Sequence, residues 1–244
     1  MRTAASVLFL IGASCADQTI QGTIDHGPVE LDRPAAWYPL DQTTRLGRDR
    51  ADGNRPDALA TNVQVVSDPQ RGPVVQINGG VLVLLPAVHK DFTVAFWLNT
   101  TQQGPRQMGW VMGPRLIDAD VSGLALDFGV SLSLDKLAFG VGDPKDLPKD
   151  QTAMQSLRTV VDGHWHHVAV TRDGTTGLRQ IFIDGALDNQ APALPGELSL
   201  PPTILVGQRS PTVPASPALR AKMSDLRFFD RVVSASAIAF LATE

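Results

Sequence analysis

Glutamate is nearly missing from this 244-residue chain: Glu30, Glu197 and Glu244 are the only three, against 22 aspartates. Glycoside hydrolysis needs two carboxyls about 5 to 9 Å apart across the scissile bond. Glu30 lies in a polar N-terminal stretch, Glu197 in a Pro-Gly loop and Glu244 at the C-terminus, so that chemistry would fall to aspartates. Cysteine is also scarce, and the single Cys15 excludes a disulfide framework and a thiol nucleophile from the rest of the chain. No run approaches the ~20 apolar residues of a membrane-spanning helix. No block of one charge sign appears either. With 21 Lys and Arg against 25 Asp and Glu, and a net charge of -4, nucleic acid is excluded as a natural partner. Aromatic residues make up 6%, which leaves few rings to serve as sugar platforms.

What is present begins with an export pattern. Met1-Arg2 is a short basic start, Ala4 to Ile11 is apolar, and Gly12-Ala13-Ser14-Cys15-Ala16 is a small-residue exit. Residues 1–16 read as a secretory signal. Gly12-Ala13-Ser14-Cys15 resembles a lipobox, which makes Cys15 the candidate lipidated residue; cleavage after Ala16 is the rival. Both routes place the protein in the cell envelope or outside the cell, with at most a lipid anchor and no membrane span. Residues 17–34 are polar, carry Pro28 and Pro34, and read as a tether. The domain is expected over 35–244.

From Ala35 onward, short runs of Val, Ile, Phe and Leu alternate with Gly, Pro, Asp and Asn about every ten residues, the pattern of an all-β sandwich or barrel. The expected strands are Ala36–Leu40, Val63–Val66, Val74–Ile77, Val81–Leu85, Phe92–Asn99, Trp110–Met112, Leu124–Phe128, Leu137–Val141, Ser156–Val160, His166–Arg172, Gln180–Ile183, Ile204–Val206 and Leu226–Phe229. Successive strands are expected to be antiparallel neighbours. Within Phe92–Asn99, alternation assigns Phe92, Val94, Phe96 and Leu98 to the core; Thr93 is then outward, and Trp97 faces out or lies under a loop. Asp184-Gly185 predicts a type I′ hairpin turn. Ser234 to Thr243 reads as a short capped helix. No internal repeat is present.

Four blocks carry a resemblance: Phe92-Thr93-Val94-Ala95-Phe96-Trp97-Leu98; Asp162-Gly163-His164-Trp165-His166-His167-Val168-Ala169-Val170-Thr171-Arg172-Asp173; Ile181-Phe182-Ile183-Asp184-Gly185; and Met223-Ser224-Asp225-Leu226-Arg227-Phe228-Phe229-Asp230-Arg231. In order and content they resemble the bacterial laminin-G-like domains of the concanavalin A-like lectin/glucanase group. That resemblance implies a two-sheet antiparallel jelly-roll sandwich with a short C-terminal helix, acting as a non-catalytic binding or adhesion module. A glycan or an extracellular or envelope protein would be the partner, and the module is expected to be a monomer. The alternatives are a polysaccharide hydrolase or lyase of the same fold, and a structural envelope component.

Calcium is the cofactor that the aspartate loops suggest, because the ion takes carboxylate and carbonyl oxygens. Asp49-Arg50-Ala51-Asp52-Gly53-Asn54 resembles the family loop that follows the first strand, and the resemblance pairs Asp49 with Asp225 on the last strand, with Asp52 and Asn54 as further ligands. This loop carries an inserted Asp52, and Ser224 stands where relatives often carry Asp. The second loop, Asp118-Ala119-Asp120-Val121-Ser122-Gly123, opens with calcium-loop spacing at Asp118 and Asp120 but has Gly129 where a closing glutamate would stand. His164-Trp165-His166-His167 could pair His164 and His166 on one side as zinc ligands; the family reading makes them rim histidines of a core strand. Trp97 and Trp110 are either sugar platforms or core. The Pro-rich stretch Ser210 to Pro217 is either the rim of a binding surface or a plain connection.

Overall fold

A computed structural model of the chain describes residues 33–51, 55–106, 110–121, 126–142, 153–208 and 216–244. The export signal with Cys15, most of the tether, Asp52, Asn54 and most of the Pro-rich stretch lie outside the described residues. Thirteen strands are described: β1 Ala36–Tyr38, β2 Leu59–Asp68, β3 Gly72–Leu84, β4 Phe92–Asn99, β5 Arg115–Ala119, β6 Phe128–Ser133, β7 Lys136–Val141, β8 Ala153–Gln155, β9 Trp165–Arg172, β10 Leu178–Ile183, β11 Ala186–Pro192, β12 Ile204–Val206 and β13 Arg220–Phe229. One helix, α1, follows at Ala235–Leu241.

Every pairing is antiparallel, in the order β11-β10-β9-β4-β13-β3-β12-β5-β6-β7-β8, with β1 added on β13 and β2 on β3. This continuous ladder bends into two packed layers at β3. Its first half pairs with β13 through Val75 to Asn78, and its last residues, Leu82 to Leu84, pair with β12. The bend falls at Gly79-Gly80, where β2 carries a bulge between Thr61 and Val63. Gly79 has a φ of 76°, and a side chain on Gly80 would collide with the Asn62 carbonyl. The sequence therefore reads as two strands, Val74–Ile77 and Val81–Leu85, where the chain makes one strand that crosses between layers.

Between the layers lies one apolar core. Phe92, Val94, Phe96 and Leu98 of β4, Val168 and Val170 of β9, Met223 and Phe228 of β13, and Phe128 and Phe139 of the second layer all belong to it. Phe92 meets Phe128 with ring centroids 4.5 Å apart. Burial of a large apolar side chain stabilises by roughly 1.5–3 kcal/mol, which is what makes the alternation in β4 decisive.

The structure departs from the sequence expectations at several elements. Trp110–Met112 is a 3-10 turn, not a strand. Its indole is buried against paired glycines, Gly129 of β6 and Gly140 of β7, where any Cβ would overlap the ring. Ser156–Val160 is not extended, because the Ser156 hydroxyl accepts from Leu137 N–H and donates to the Arg158 carbonyl, a local bond that competes with a ladder; the strand is β8, just before it. β5 has no counterpart among the expected strands, and of the described residues of the expected strand Leu124–Phe128 (126–128) only Phe128 lies in a strand. Successive strands are not always neighbours: β4 lies between β9 and β13.

Thr93 is not outward to solvent. It is fully buried, its hydroxyl donating to Arg231 O at 3.0 Å and accepting from Val233 N at 3.1 Å. The reason is α1, capped by Ser234, which lays Ala237, Ile238 and Leu241 over Ala95, Ala169, Phe182 and Phe229 on the outer side of the first layer. The Asp184-Gly185 turn has both residues at positive φ, 53° and 77°, as a type I′ hairpin requires.

Candidate ligand-binding face

α1 covers only part of the outer face, and among the described residues Gln64, Gln76, Asn78 and Arg220 stay exposed on it. Cross-strand partners share a face, so the register gives its contents directly. One row runs Gln64, Gln76, Lys222, Asn99 and Trp165 across β2, β3, β13, β4 and β9. Beside it Asn78 pairs with Arg220, and on the other side Ser224, Trp97 and His167 form the next row. Gln76, Asn78, Asn99, Thr100, Thr101, Arg220 and Lys222 line an open groove of about 320 Å³.

The groove is held in shape from its margin. Asp68, at the end of β2, accepts from the Trp165 indole N–H at 3.0 Å and from Lys222 Nζ at 2.8 Å. Burial pushes this carboxyl up, but Lys222, the Gln70 N–H and the Trp165 N–H outweigh it and hold the pKa down to about 2. Asn99 Nδ2 donates to Gly163 O at 2.6 Å. Thr100 donates to the Arg220 carbonyl at 2.8 Å, and Arg220 N–H donates to Gln102 Oε1 at 2.6 Å. The Trp165 indole, the Asn99 amide and the Lys222 ammonium are thereby held in place, beside the Gln76 and Asn78 amides and Arg220 in the same register. Such groups serve polar, hydroxyl-rich ligands, whose orientation is set by a few well-placed donors and acceptors.

Trp97 is neither core nor a free platform. The Arg71 guanidinium lies 3.8 Å from its ring centroid, and His167 meets it edge-on at 5.3 Å. Arg71 also donates to the Glu244 carbonyl, which ties the end of the chain to this row. His167 is buried; desolvation first, then Arg227 and Arg71, lower its pKa to about 4, so it is neutral. Trp110 is core. His166 is bracketed by Asp162 and Asp184, each at 3.1 Å, and His164 is exposed beside Asp162 at 3.3 Å.

The expected calcium residues fall elsewhere. Trp37 connects Asp49 and Asp225: its backbone N–H donates to Asp49 Oδ1 at 2.9 Å and its indole N–H to Asp225 Oδ1 at 2.6 Å. Asp225 sits at a bulge of β13 with a φ of 54° and is paired with Arg227 at 3.0 Å. Asp49 Oδ1 also accepts from Ala51 N–H at 2.8 Å, whereas its buried Oδ2 has no hydrogen-bond donor among the described residues and lies 3.9 Å from Arg55 Nε. Of this pair, that oxygen is the one suited to a cation, and Asp225 would have to give up Arg227 to join it. Asp118 and Asp120 are ion-paired to the buried Arg115 at 3.4 and 3.5 Å. Among the described residues no group of three or more His, Cys, Asp or Glu side chains is arranged to hold a metal.

Two other cavities are less suited to a ligand. One of about 420 Å³ lies between residues 41–44 and β2, lined by Asp41, Gln42 and small or apolar groups, with no aromatic ring. The other, about 160 Å³, is a cleft beside Asp118 and Asp120. Near it Asp127 is pushed up to about 7 by burial and by the charge of Asp120.

Domain 4 of AbnA, a GH43 extracellular arabinanase from Geobacillus stearothermophilus solved with arabinotriose, is similar at 16% identity and a TM-score of 0.64, over 86% of this chain and 98% of that one. The binding domain of Paraclostridial Mosquitocidal Protein 1 is similar at 12% identity and a TM-score of 0.64, over 87% of this chain and 52% of that one. Botulinum neurotoxin type C, whose cell entry depends on two ganglioside molecules, is similar at 14% identity and a TM-score of 0.63, over 87% and 51%. This chain thus spans about half the length of the toxin structures. These likenesses are of fold, and no curated protein matches the sequence. No helix among the described residues is long and apolar enough to cross a membrane. The sequence profile of the concanavalin A-like lectin/glucanases superfamily, in its laminin-G-like form, matches residues 71–239, and the chain belongs to that family.

Proposed function

We propose that this protein is an exported, non-catalytic, monomeric module that binds a glycan along the groove of its outer face. The observation that carries the reading is the in-register row Gln76, Lys222, Asn99 and Trp165, positioned by Asp68. Similar domains that bind arabinotriose or depend on gangliosides support it at the level of the fold. Retention on a panel of immobilised polysaccharides, scored together with release of reducing ends, tests it. Retention without release is expected, with Asn99→Ala and Trp165→Ala each weakening it tenfold or more. Release of reducing ends by the purified protein replaces this reading with a hydrolase. In that case Asp127, protonated near neutral pH beside Asp120, is the first acid to substitute, as Asp127→Asn. Co-purification with an envelope protein and no glycan retention replaces it with a structural role.

Export and anchoring belong to the same proposal. Cys15→Ser should move the protein from the membrane fraction to the soluble fraction if Cys15 carries lipid; a native mass beginning at Asp17 without lipid decides for ordinary cleavage. Calcium is proposed at Asp49 Oδ2, with Asp52, Asn54 and Asp225 as further ligands. Millimolar calcium should then raise the melting temperature, since a ligand bound only to the folded form adds about 2.7 kcal/mol at a hundredfold excess over Kd. Asp49→Asn should abolish that rise and Asp118→Asn should leave it. A wild type that does not respond to calcium removes the metal and leaves Arg55 and Arg227 as the cations of these two carboxylates.

A further inference from the structure

We infer that the groove selects a carboxylated saccharide and that Arg220 is the residue that recognises the acid. This rests on the glycan-binding reading and specifies its ligand. Among the described residues the groove lining contains two cations and no carboxylate, in a protein whose net charge is -4. The positive character is therefore local to the groove. The two cations are not equivalent. Lys222 is matched by Asp68 at 2.8 Å, with no charge left over. Arg220 is exposed, and its main chain is locked on both sides, N–H to Gln102 and C=O to the Thr100 hydroxyl. Among the described residues no carboxylate or carbonyl engages its guanidinium.

A guanidinium fixed at its base and free at its tip matches a carboxylate bidentately, which a neutral sugar hydroxyl does not. Asn78 lies directly across from Arg220 in the register, and the Gln76, Lys222 and Asn99 row is next along the same strands. A saccharide lying across the strands would thus meet the cation at one rim and amides, suited to hydroxyls, beside it. The geometry favours a sugar acid within a chain over a free small carboxylate, because an isolated exposed ion pair contributes little and needs the amide contacts to add to it.

The test uses four carboxylated saccharides, polygalacturonate, alginate, hyaluronan and sialyllactose, each beside its methyl-esterified or carboxyl-reduced counterpart, with acetate and free galacturonate as small-acid competitors. At least one acid form should bind the wild type tenfold or more tighter than its neutral counterpart. Arg220→Gln should bring the two forms together, at the level of the neutral one. Lys136→Gln, the same charge change on the β6–β7 hairpin of the other layer, should leave the preference intact. Equal binding of acid and neutral forms overturns the acid selection and leaves glycan binding standing. Equal loss in Lys136→Gln reduces it to bulk charge and overturns the role of Arg220. Displacement by millimolar acetate overturns the requirement for a sugar. Binding to no saccharide, neutral or acidic, overturns both readings.

Discussion

At the scale of single residues, two buried groups oppose each other in pH. His167 has a folded pKa near 4, below the ordinary value of 6.5. The unfolded chain therefore binds a proton that the folded chain refuses, and stability falls as pH drops from about 6.5 to 4, by up to about 3 kcal/mol. Asp127 is the reverse: raised from 3.8 to about 7, it holds a proton in the folded state that the unfolded chain has released, so stability falls as pH rises through 4 to 7. The two slopes cancel in part. Urea unfolding at pH 4.5 and 6.5 should show Asp127→Asn becoming more stable with rising pH and His167→Gln becoming less so, while the wild type changes less than either. A wild type steeper than both variants contradicts the assignment. Neither group was foreseeable from composition: His167 is one of three clustered histidines whose burial depends on Trp97 and Arg71, and Asp127 is one of 22 aspartates.

At the scale of elements, alternation worked where a strand has one dry face and failed where both faces are covered. Phe92–Asn99 was legible residue by residue on its core side; Thr93 was misjudged because α1, distant in sequence, seals the other side. Phe96→Asp and Thr93→Asp should therefore both destabilise by several kcal/mol, since each places a carboxylate in a buried site, whereas Gln64→Asp on an exposed strand position should stay within about 0.5 kcal/mol. Thermal melts of the three variants check this. Trp110 reads as a strand residue because its neighbours are apolar, and only the Gly129 and Gly140 pairing reveals its seat. Gly140→Ala should unseat the indole, costing several kcal/mol and shifting tryptophan emission to the red. The groove was half legible: Gln76 and Asn78, and Arg220 and Lys222, alternate with core residues and so mark outer faces. What no single strand discloses is that β13 brings those pairs together, with Asn99 and Trp165 alongside.

At the scale of the whole molecule, the ends of the ladder approach each other. Asn189 of β11 donates to Gln155 O of β8 at 2.8 Å, and Asp188 accepts from the N–H of Leu157 and pairs with Arg158 at 3.1 Å. These contacts cover the outer edges of β8 and β11, whereas β2, which pairs only with β3 among the described strands, keeps an unpaired edge. Asp188→Ala should loosen this closure and raise hydrogen exchange in β8 and β11 while leaving β3 and β4 protected. The order of strands has a temporal meaning as well. β13, the last of the described strands to be synthesised, lies between β3 and β4 and bridges them. A ribosome-bound chain lacking residues 220–229 can form hairpins but not the first layer, and pairing across such sequence distances is slow in any case. The nascent polypeptide should thus remain protease-sensitive until these ten residues have emerged, because the first layer is cut in two until β13 fills the gap between β3 and β4.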